Sequence, residues 1–438
     1  MRVLHPSGKR NRKNFVAIWA LVLGLAALFG NGVAFAEDWP RWGGPRGDET
    51  WSGPDVLNEW PETGLAVRFR QPIGGGYSGV AVAHGRVYVH DYVKTPSESE
   101  RVLCFDATTG APLWTHAYPV AYADLDYGSG PRATPTVFEG RVYTFGAVGQ
   151  AHCLDAVTGA VVWSIDFVKD HGAVLPTWGL AGAAVVDEPR VLFHVGLKEG
   201  GTLVACDRNT GKIVWRGGAD PAGYAAPILI DAPSGRQVVC WSPEHVLGLS
   251  PADGTVLWKV PYKVTYGVSI ATPLYRNGLL FVSGYWEGSK AIRLGAAPGD
   301  ATLAWQENRN LRGLMSQPIE RNGSVYTLDK QYGVTCFDLE TGKKRWDDKN
   351  TLTARGRNPQ VTLTWLQGSD RVLSVNAEGE LLLSRFTPDA FELLARTPVI
   401  EPAEPTGVIW AHPAYAGDAV FVRSDRELVC RPLPVRMP

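Results

Sequence analysis

Aromatic, arginine and carboxylate side chains recur in this chain where runs of alternating apolar residues give way to loops. One recurring kind of loop carries Tyr77, Asp124, Asp126, Tyr127, Arg132, Trp178, Tyr224, Tyr266, Arg312, Met315, Arg357, Trp410 and His412. A second kind carries Glu199, Glu244, His245, Trp286, Glu287, Asp329, Lys330, Tyr332 and Glu378. Guanidinium groups beside flat rings suit a planar, anionic cofactor, and the same mixture holds a protein segment. The competing reading is a set of solvated loops whose aromatic residues cover strand ends. His245 and His412 stand alone, without His-x-x-x-His spacing, and read as locally satisfied histidines rather than ligands. Asp124 with Asp126 resembles part of an oxygen-ligand cation site, but the glycine-spaced loop and closing Glu of an EF-hand are missing. No Gly-x-Ser-x-Gly or glycine-rich phosphate loop is present, so hydrolase and nucleotide chemistry have no support. No metal site and no catalytic residue is assigned.

The elements that must position these loops are written as a repeat. Its clearest copies are Cys153-Leu154-Asp155-Ala156-Val157-Thr158-Gly159-Ala160-Val161-Val162-Trp163 and Cys336-Phe337-Asp338-Leu339-Glu340-Thr341-Gly342-Lys343-Lys344-Arg345-Trp346. The closing positions are Phe69, Trp114, Trp163, Trp215, Trp258, Trp305, Trp346 and a degenerate Leu394, 41 to 52 residues apart. That period is the length of one four-stranded propeller blade. Asp106, Asp155, Asp207 and Asp338 each precede a glycine by four residues, the chemistry of a tight hairpin. Upstream of each turn lies a second strand signal, as in Gly85-Arg86-Val87-Tyr88-Val89 and Gly323-Ser324-Val325-Tyr326-Thr327-Leu328. After residue 40 no stretch keeps a helical apolar period, so the chain reads as all-β.

These observations predict an eight-bladed β-propeller of four-stranded antiparallel blades. An exposed indole on an edge strand invites aggregation, so Trp114, Trp163, Trp215, Trp258, Trp305 and Trp346 are expected to dock over the neighbouring blade. Residues 65 to 70 look like an outer strand with no inner strands before it, and the last copy, around Val420 and Val429, stops before its own. The N-terminal strand is therefore expected to complete the last blade and close the ring. The domain boundaries that follow are 1–36 for a leader, 37–64 for an extension and 65–434 for a single propeller.

The leader has the form of a secretion signal, with basic residues 2 to 13, an apolar run from Phe15 to Phe29, and Ala34-Phe35-Ala36. The run is short for a bilayer span. Export to the periplasm or the extracellular space follows as an expectation, with a cleaved leader or a retained anchor both open. The formal net charge is −1, and −6 once the five basic residues of the leader are set aside. A mildly acidic domain without a basic tract points away from nucleic acid. Cys104, Cys153 and Cys336 occupy equivalent positions in different repeats, too far apart for disulfides, so the six cysteines read as buried core residues. There is no Cys-x-x-Cys-His haem site and no adjacent Cys-Cys pair.

The pattern Leu/Cys-x-Asp-x-x-Thr-Gly-x-x-x-Trp resembles the repeat of the pyrroloquinoline quinone (PQQ)-type propellers, over residues 39 to 432. The entry Trp39-Pro40-Arg41-Trp42-Gly43-Gly44-Pro45-Arg46-Gly47-Asp48 is similar to exported PQQ-like repeat proteins of planctomycete-type bacteria. The resemblance implies two different trades. Quinoprotein alcohol dehydrogenases of this fold use PQQ with Ca²⁺, a catalytic carboxylate and usually a vicinal disulfide. Assembly lipoproteins of the BamB type bind protein partners without a cofactor. This chain lacks the vicinal cysteines of the first and the lipidation cysteine of the second, and none of the dehydrogenase ligands can be matched to it. The expected function is a non-catalytic binding or assembly scaffold without a cofactor, a monomer whose partner is an envelope protein or a small ligand. The alternative is a PQQ/Ca²⁺-dependent dehydrogenase with an atypical site.

Overall fold

The computed structural model describes residues 1–2, 36–122, 125, 128, 130–313, 315–403 and 407–436. Asp124, Asp126 and Tyr127, and all of the leader except Met1, Arg2 and Ala36, therefore lie outside the described residues. From Glu37 onward the chain is one compact unit. The strands of the described residues form eight sheets of four antiparallel strands, one of them with a fifth, parallel strand at its inner edge. Blades 1 to 7 span 81–119, 136–166, 185–217, 228–261, 274–307, 319–347 and 364–398. Blade 8 takes three strands from 414–432 and its outer strand, Phe69–Pro72, from the N-terminal side.

The repeat motif explains why each blade turns and docks where it does. In blades 1, 2 and 3 the Asp106, Asp155 and Asp207 carboxylates accept hydrogen bonds from the backbone N–H groups two and three residues on and from a threonine hydroxyl. Those bonds hold the three carboxyl groups below their ordinary range. The glycine that follows has positive φ, 73° at both Gly159 and Gly211, and its missing side chain is also the seat of the preceding blade's indole. A Cβ at Gly159 would stand 2.6 Å from the Trp114 ring, and one at Gly211 2.8 Å from Trp163. The indole N–H then donates to a carbonyl of the next blade: Trp114 to Ala156, Trp163 to Arg208, Trp215 to Pro251, Trp305 to Leu339 and Trp346 to Thr387.

Trp258 is buried in the apolar cluster between blades 4 and 5, but its N–H does not follow the pattern. Its indole donates within its own blade, to Gln237 Oε1 at 2.7 Å. The next blade turns at 295–300 without the Asp-to-Gly pattern, so it offers no seat of the usual kind. The hydrophobic clusters run between blades, as where Tyr143, Phe145 and Trp163 meet Phe193 and Val204. All six cysteines are free and buried. Burial pushes the Cys104 and Cys153 thiols up to about 11, which keeps them unreactive.

Ring closure follows the expected pairing with later strand bounds, since the closing strand is Phe69–Pro72 rather than 65–70. Phe69 pairs with Cys430 and lies over Gly110 of blade 1, where the other blades use tryptophan. Arg68–Asp418 at 2.8 Å and Arg70–Glu427 at 2.6 Å fix the strand from the surface. Inside the seam, the buried Arg423 guanidinium donates to His90 O and Gly74 O, both at 2.8 Å, joining blade 8 to blade 1.

Candidate binding site

Residues 38–52 do not stay outside the ring. Asp38 accepts from His84 N, in the turn that ends the inner strand of blade 1. Trp39 then bridges Val82, Pro40 O accepts from Val137 N of blade 2, and Trp42 Nε1 donates to Thr272 Oγ1 of blade 5 at 3.0 Å. The chain reverses through Gly43, Gly44 and Gly47, all at positive φ. A Cβ at Gly43 would meet Gly47 backbone at 2.9 Å and one at Gly44 the Trp39 ring at 2.8 Å, so only glycine allows so narrow a turn. Returning, Glu49 O accepts from Trp365 N, and Thr50–Trp51 adds a parallel fifth strand to blade 7. Trp39 and Trp51 are 1% and 0% exposed. A segment that touches the inner strands of blades 1, 2, 5, 7 and 8 occupies the central channel. Glu37 closes its base, pairing with Arg46 at 2.6 Å and exchanging hydrogen bonds with Ser52.

Above this plug the channel mouth is a cavity of about 490 Å³, within the size range of small-molecule sites. Its wall takes one residue from every loop that leads into an inner strand: Tyr77, Arg132, Trp178, Tyr224, Tyr266, Met315, Arg357 and Trp410. These are sequence-predicted positions brought together around the axis. Trp286 joins them from the second kind of loop. Tyr77 stacks on Trp410 at 5.6 Å, with the Arg132 guanidinium over its ring at 5.4 Å. Trp178 meets Tyr224 at 5.0 Å, and Trp286 meets both Tyr266 and Tyr285. Tyr285 OH donates to Arg357 O, tying two loops of the rim. Burial lowers the Arg132 pKa from its ordinary value, but a guanidinium stays charged there.

Among the described residues, the other predicted positions do not line the cavity. His245 Nδ1 is 2.9 Å from Asp220, Glu244 lies 4.0 Å from Lys263, and Arg312 donates to Gln331 at 2.8 Å. Lys330 sits over the Tyr285 ring at 4.1 Å, behind the wall. His412 is not on the rim; it is 4% exposed inside the channel, 3.2 Å from the fully buried Glu49 carboxylate. Burial opposes a charge on His412, and the Glu49 carboxylate outweighs it, raising the histidine pKa.

Three features were not found by reading the sequence. Trp42 lines the cavity from below, and Tyr285 and Gln360 contribute to its wall. Glu100 forms a buried network between blades 1 and 2. It accepts from the Tyr118 and Tyr122 hydroxyls and from Ala147 N at 3.2 Å, and lies 3.4 Å from His90 Nε2. Burial works against its charge, but these partners hold its pKa below the ordinary range. Tyr122 leads into the loop that carries Arg132, so the network anchors one side of the cavity.

A family model described as outer membrane protein assembly factor BamB matches residues 98–348. The chain belongs to this PQQ-like propeller family. The propeller is 26% identical over 304 residues to the quinohemoprotein alcohol dehydrogenase ADH IIB of Pseudomonas putida, covering 61% of this chain and 42% of that protein. It thus spans less than half of that relative's length. Among solved structures it is similar to a europium-containing methanol dehydrogenase, with a TM-score of 0.63 and 14% identity over 89% of this chain and 90% of that one. The quinohemoprotein alcohol dehydrogenase of Comamonas testosteroni gives a TM-score of 0.63 and 14% identity over 92% and 81%. Likeness at that identity is likeness of fold.

The residues of this PQQ-like propeller can be tested against a quinone with Ca²⁺. Rings and two guanidinium groups suit a planar polyanion, but among the described residues no carboxylate lines the cavity. Nor does any group of three or more His, Cys, Asp or Glu side chains among them stand where it could hold a metal ion. A Ca²⁺ site built on carboxylates, with a carboxylate base beside it, does not fit the described residues.

Proposed function

We propose that this PQQ-like propeller is an exported, non-catalytic binding scaffold that engages an anionic ligand, or an anionic segment of an envelope protein, at its channel mouth. The observation that carries this reading is the composition of the cavity. Eight aromatic residues and two arginines converge there, with no carboxylate among the described lining residues. Such a wall gives stacking surface and positive charge for binding, but among the described residues no carboxylate, histidine or lysine to serve as acid or base. Family membership agrees with a propeller that serves either trade and does not choose between them. Export rests on the form of the leader; among the described residues no helix is long and apolar enough to cross a membrane.

The test uses purified protein with PQQ, with PQQ plus Ca²⁺, and with 1-anilinonaphthalene-8-sulfonate as an aromatic anion. The anion is expected to bind, and Arg132→Ala to weaken it by about tenfold, the loss of one charge-assisted contact. No dye-linked alcohol oxidation is expected with any combination. Turnover that requires both PQQ and Ca²⁺ would replace the scaffold reading with the dehydrogenase alternative. Capture of envelope partners by the wild type but not by Trp178→Ala would extend the reading to protein ligands.

A further inference from the structure

The cavity has a floor because of one side chain that the blades do not supply. Trp42 is only half-buried, unlike Trp39 and Trp51 of the same segment, and its open side faces the cavity. Several of the lining residues that share the cavity with it are short, Ala181, Ala183, Ala226 and Thr272, beside the longer Val268, Ile270 and Gln360. Directly behind it are Gly43 and Gly44, which have no side chains to take its place, and below them the buried Trp39 ring against Gly44. The indole is held from two sides of the ring. Its N–H donates to Thr272 Oγ1 in blade 5, and Thr272 is in turn fixed by Gln317, which accepts from its N–H at 3.1 Å. Across the axis its ring lies 4.8 Å from His412 in blade 8.

We propose, resting on the binding reading above, that Trp42 is the specificity-determining residue for ligand length: the N-terminal segment, not the blades, sets how deep a ligand enters. A propeller with its channel open could admit a long ligand end-on. With this indole locked across the axis, the ligand must be short or must leave over the rim past Tyr266 and Trp286, which are 77% and 43% exposed.

The experiment compares benzoate, biphenyl-4-carboxylate and terphenyl-4-carboxylate on wild type, Trp42→Phe and Trp42→Ala, by calorimetry. Folding of each variant is checked by melting temperature, and Trp42→Leu replaces Trp42→Ala if the latter does not fold. The alanine or leucine variant is expected to raise terphenyl binding relative to benzoate by at least tenfold, whereas Trp42→Phe keeps the wild-type ratio. An unchanged ratio in a folded variant overturns the proposal. If wild type binds none of the three, the binding reading fails by itself, and maleimide labelling of His412→Cys, a site outside the cavity lining, 4% exposed and against the Trp42 ring, decides the floor once its folding has been checked in the same way. Labelling at least tenfold faster once Trp42→Ala is added supports a sealed floor; equal rates reject it. The six native cysteines are buried and give a low background.

Discussion

Single side chains in this ring are arranged so that burial and partnering can be tested one at a time. Trp163 is 7% exposed and spans blades 2 and 3 with both its ring and its N–H. Trp163→Ala is expected to cost about 3–5 kcal/mol, read as a shift in the urea midpoint. A loss below about 1 kcal/mol would show that the indole is surface decoration. The pH profile has two edges of opposite sign. His412 has a folded-state pKa above its unfolded value, so its contribution is fully present below about pH 6.5 and is lost as pH rises through the folded value. The groups facing it are the Glu49 carboxylate and, through Glu49, the Tyr415 hydroxyl. At the acid edge, Asp106, Asp155 and Asp207 have folded-state values below the ordinary carboxyl range. Their contribution is present above about pH 3.8 and is lost as pH falls through the folded values. Urea midpoints from pH 3 to 10 are expected to decline at both ends. His412→Phe should remove the alkaline decline and cost about 3–5 kcal/mol near neutrality by stranding the Glu49 charge; a variant that kept the alkaline decline would assign it elsewhere.

At the scale of strands and loops, the residues that could be read from sequence are those whose place in the repeat is fixed. Seven of the eight outer strands carry the tryptophan or Phe69 of the repeat, blade 7 having Leu394 there, and each is followed by a loop to the next inner strand, so all eight of Tyr77, Arg132, Trp178, Tyr224, Tyr266, Met315, Arg357 and Trp410 fell on one rim. Loops between second and third strands lie farther from the axis. Glu244, His245 and Lys330 are therefore absent from its wall, and among the described residues only Tyr285 and Trp286 reach the cavity from that set. Trp42 could not be placed because its partners, Thr272 and His412, are more than two hundred residues away and no period links them. Glu100 was hidden for a similar reason: in sequence it is one charge in an ordinary strand, and its meaning lies in Tyr122 and Ala147 arriving from other elements. Glu100→Gln keeps the shape and removes the charge. It is expected to lower stability by about 1–3 kcal/mol and to speed hydrogen exchange around Arg132, while blades 4 to 6 remain unchanged. Exchange that rose equally everywhere would make Glu100 a general core residue rather than an anchor of the cavity wall.

For the whole molecule, the segment before the first blade does two jobs at once, filling the channel and supplying the strand that joins blade 8 to the ring. Deleting residues 37 to 75 removes Phe69, the partners of Asp418 and Glu427, and the buried indoles of Trp39 and Trp51. The truncated chain is expected to lose cooperative unfolding in calorimetry. A sharp transition at the wild-type temperature would mean that the remaining seven blades and an open eighth are self-sufficient. The number of blades, their order and the closing strand followed from the repeat; the occupied channel did not, since a glycine-rich stretch with three tryptophans has no strand or helix signature of its own.

The direction in which the plug enters has a consequence for presentation. Asp38 and Ser52 leave the ring beside His84 and Gln367, at the ends of inner strands farthest from Tyr77 and Trp410. Arg436 reaches the same side, donating its N–H to Asp55. Both ends of the propeller thus emerge on its back, so a molecule tethered by either one, to a surface, a bead or a fused neighbour, would hold its aromatic bowl outward toward whatever approaches.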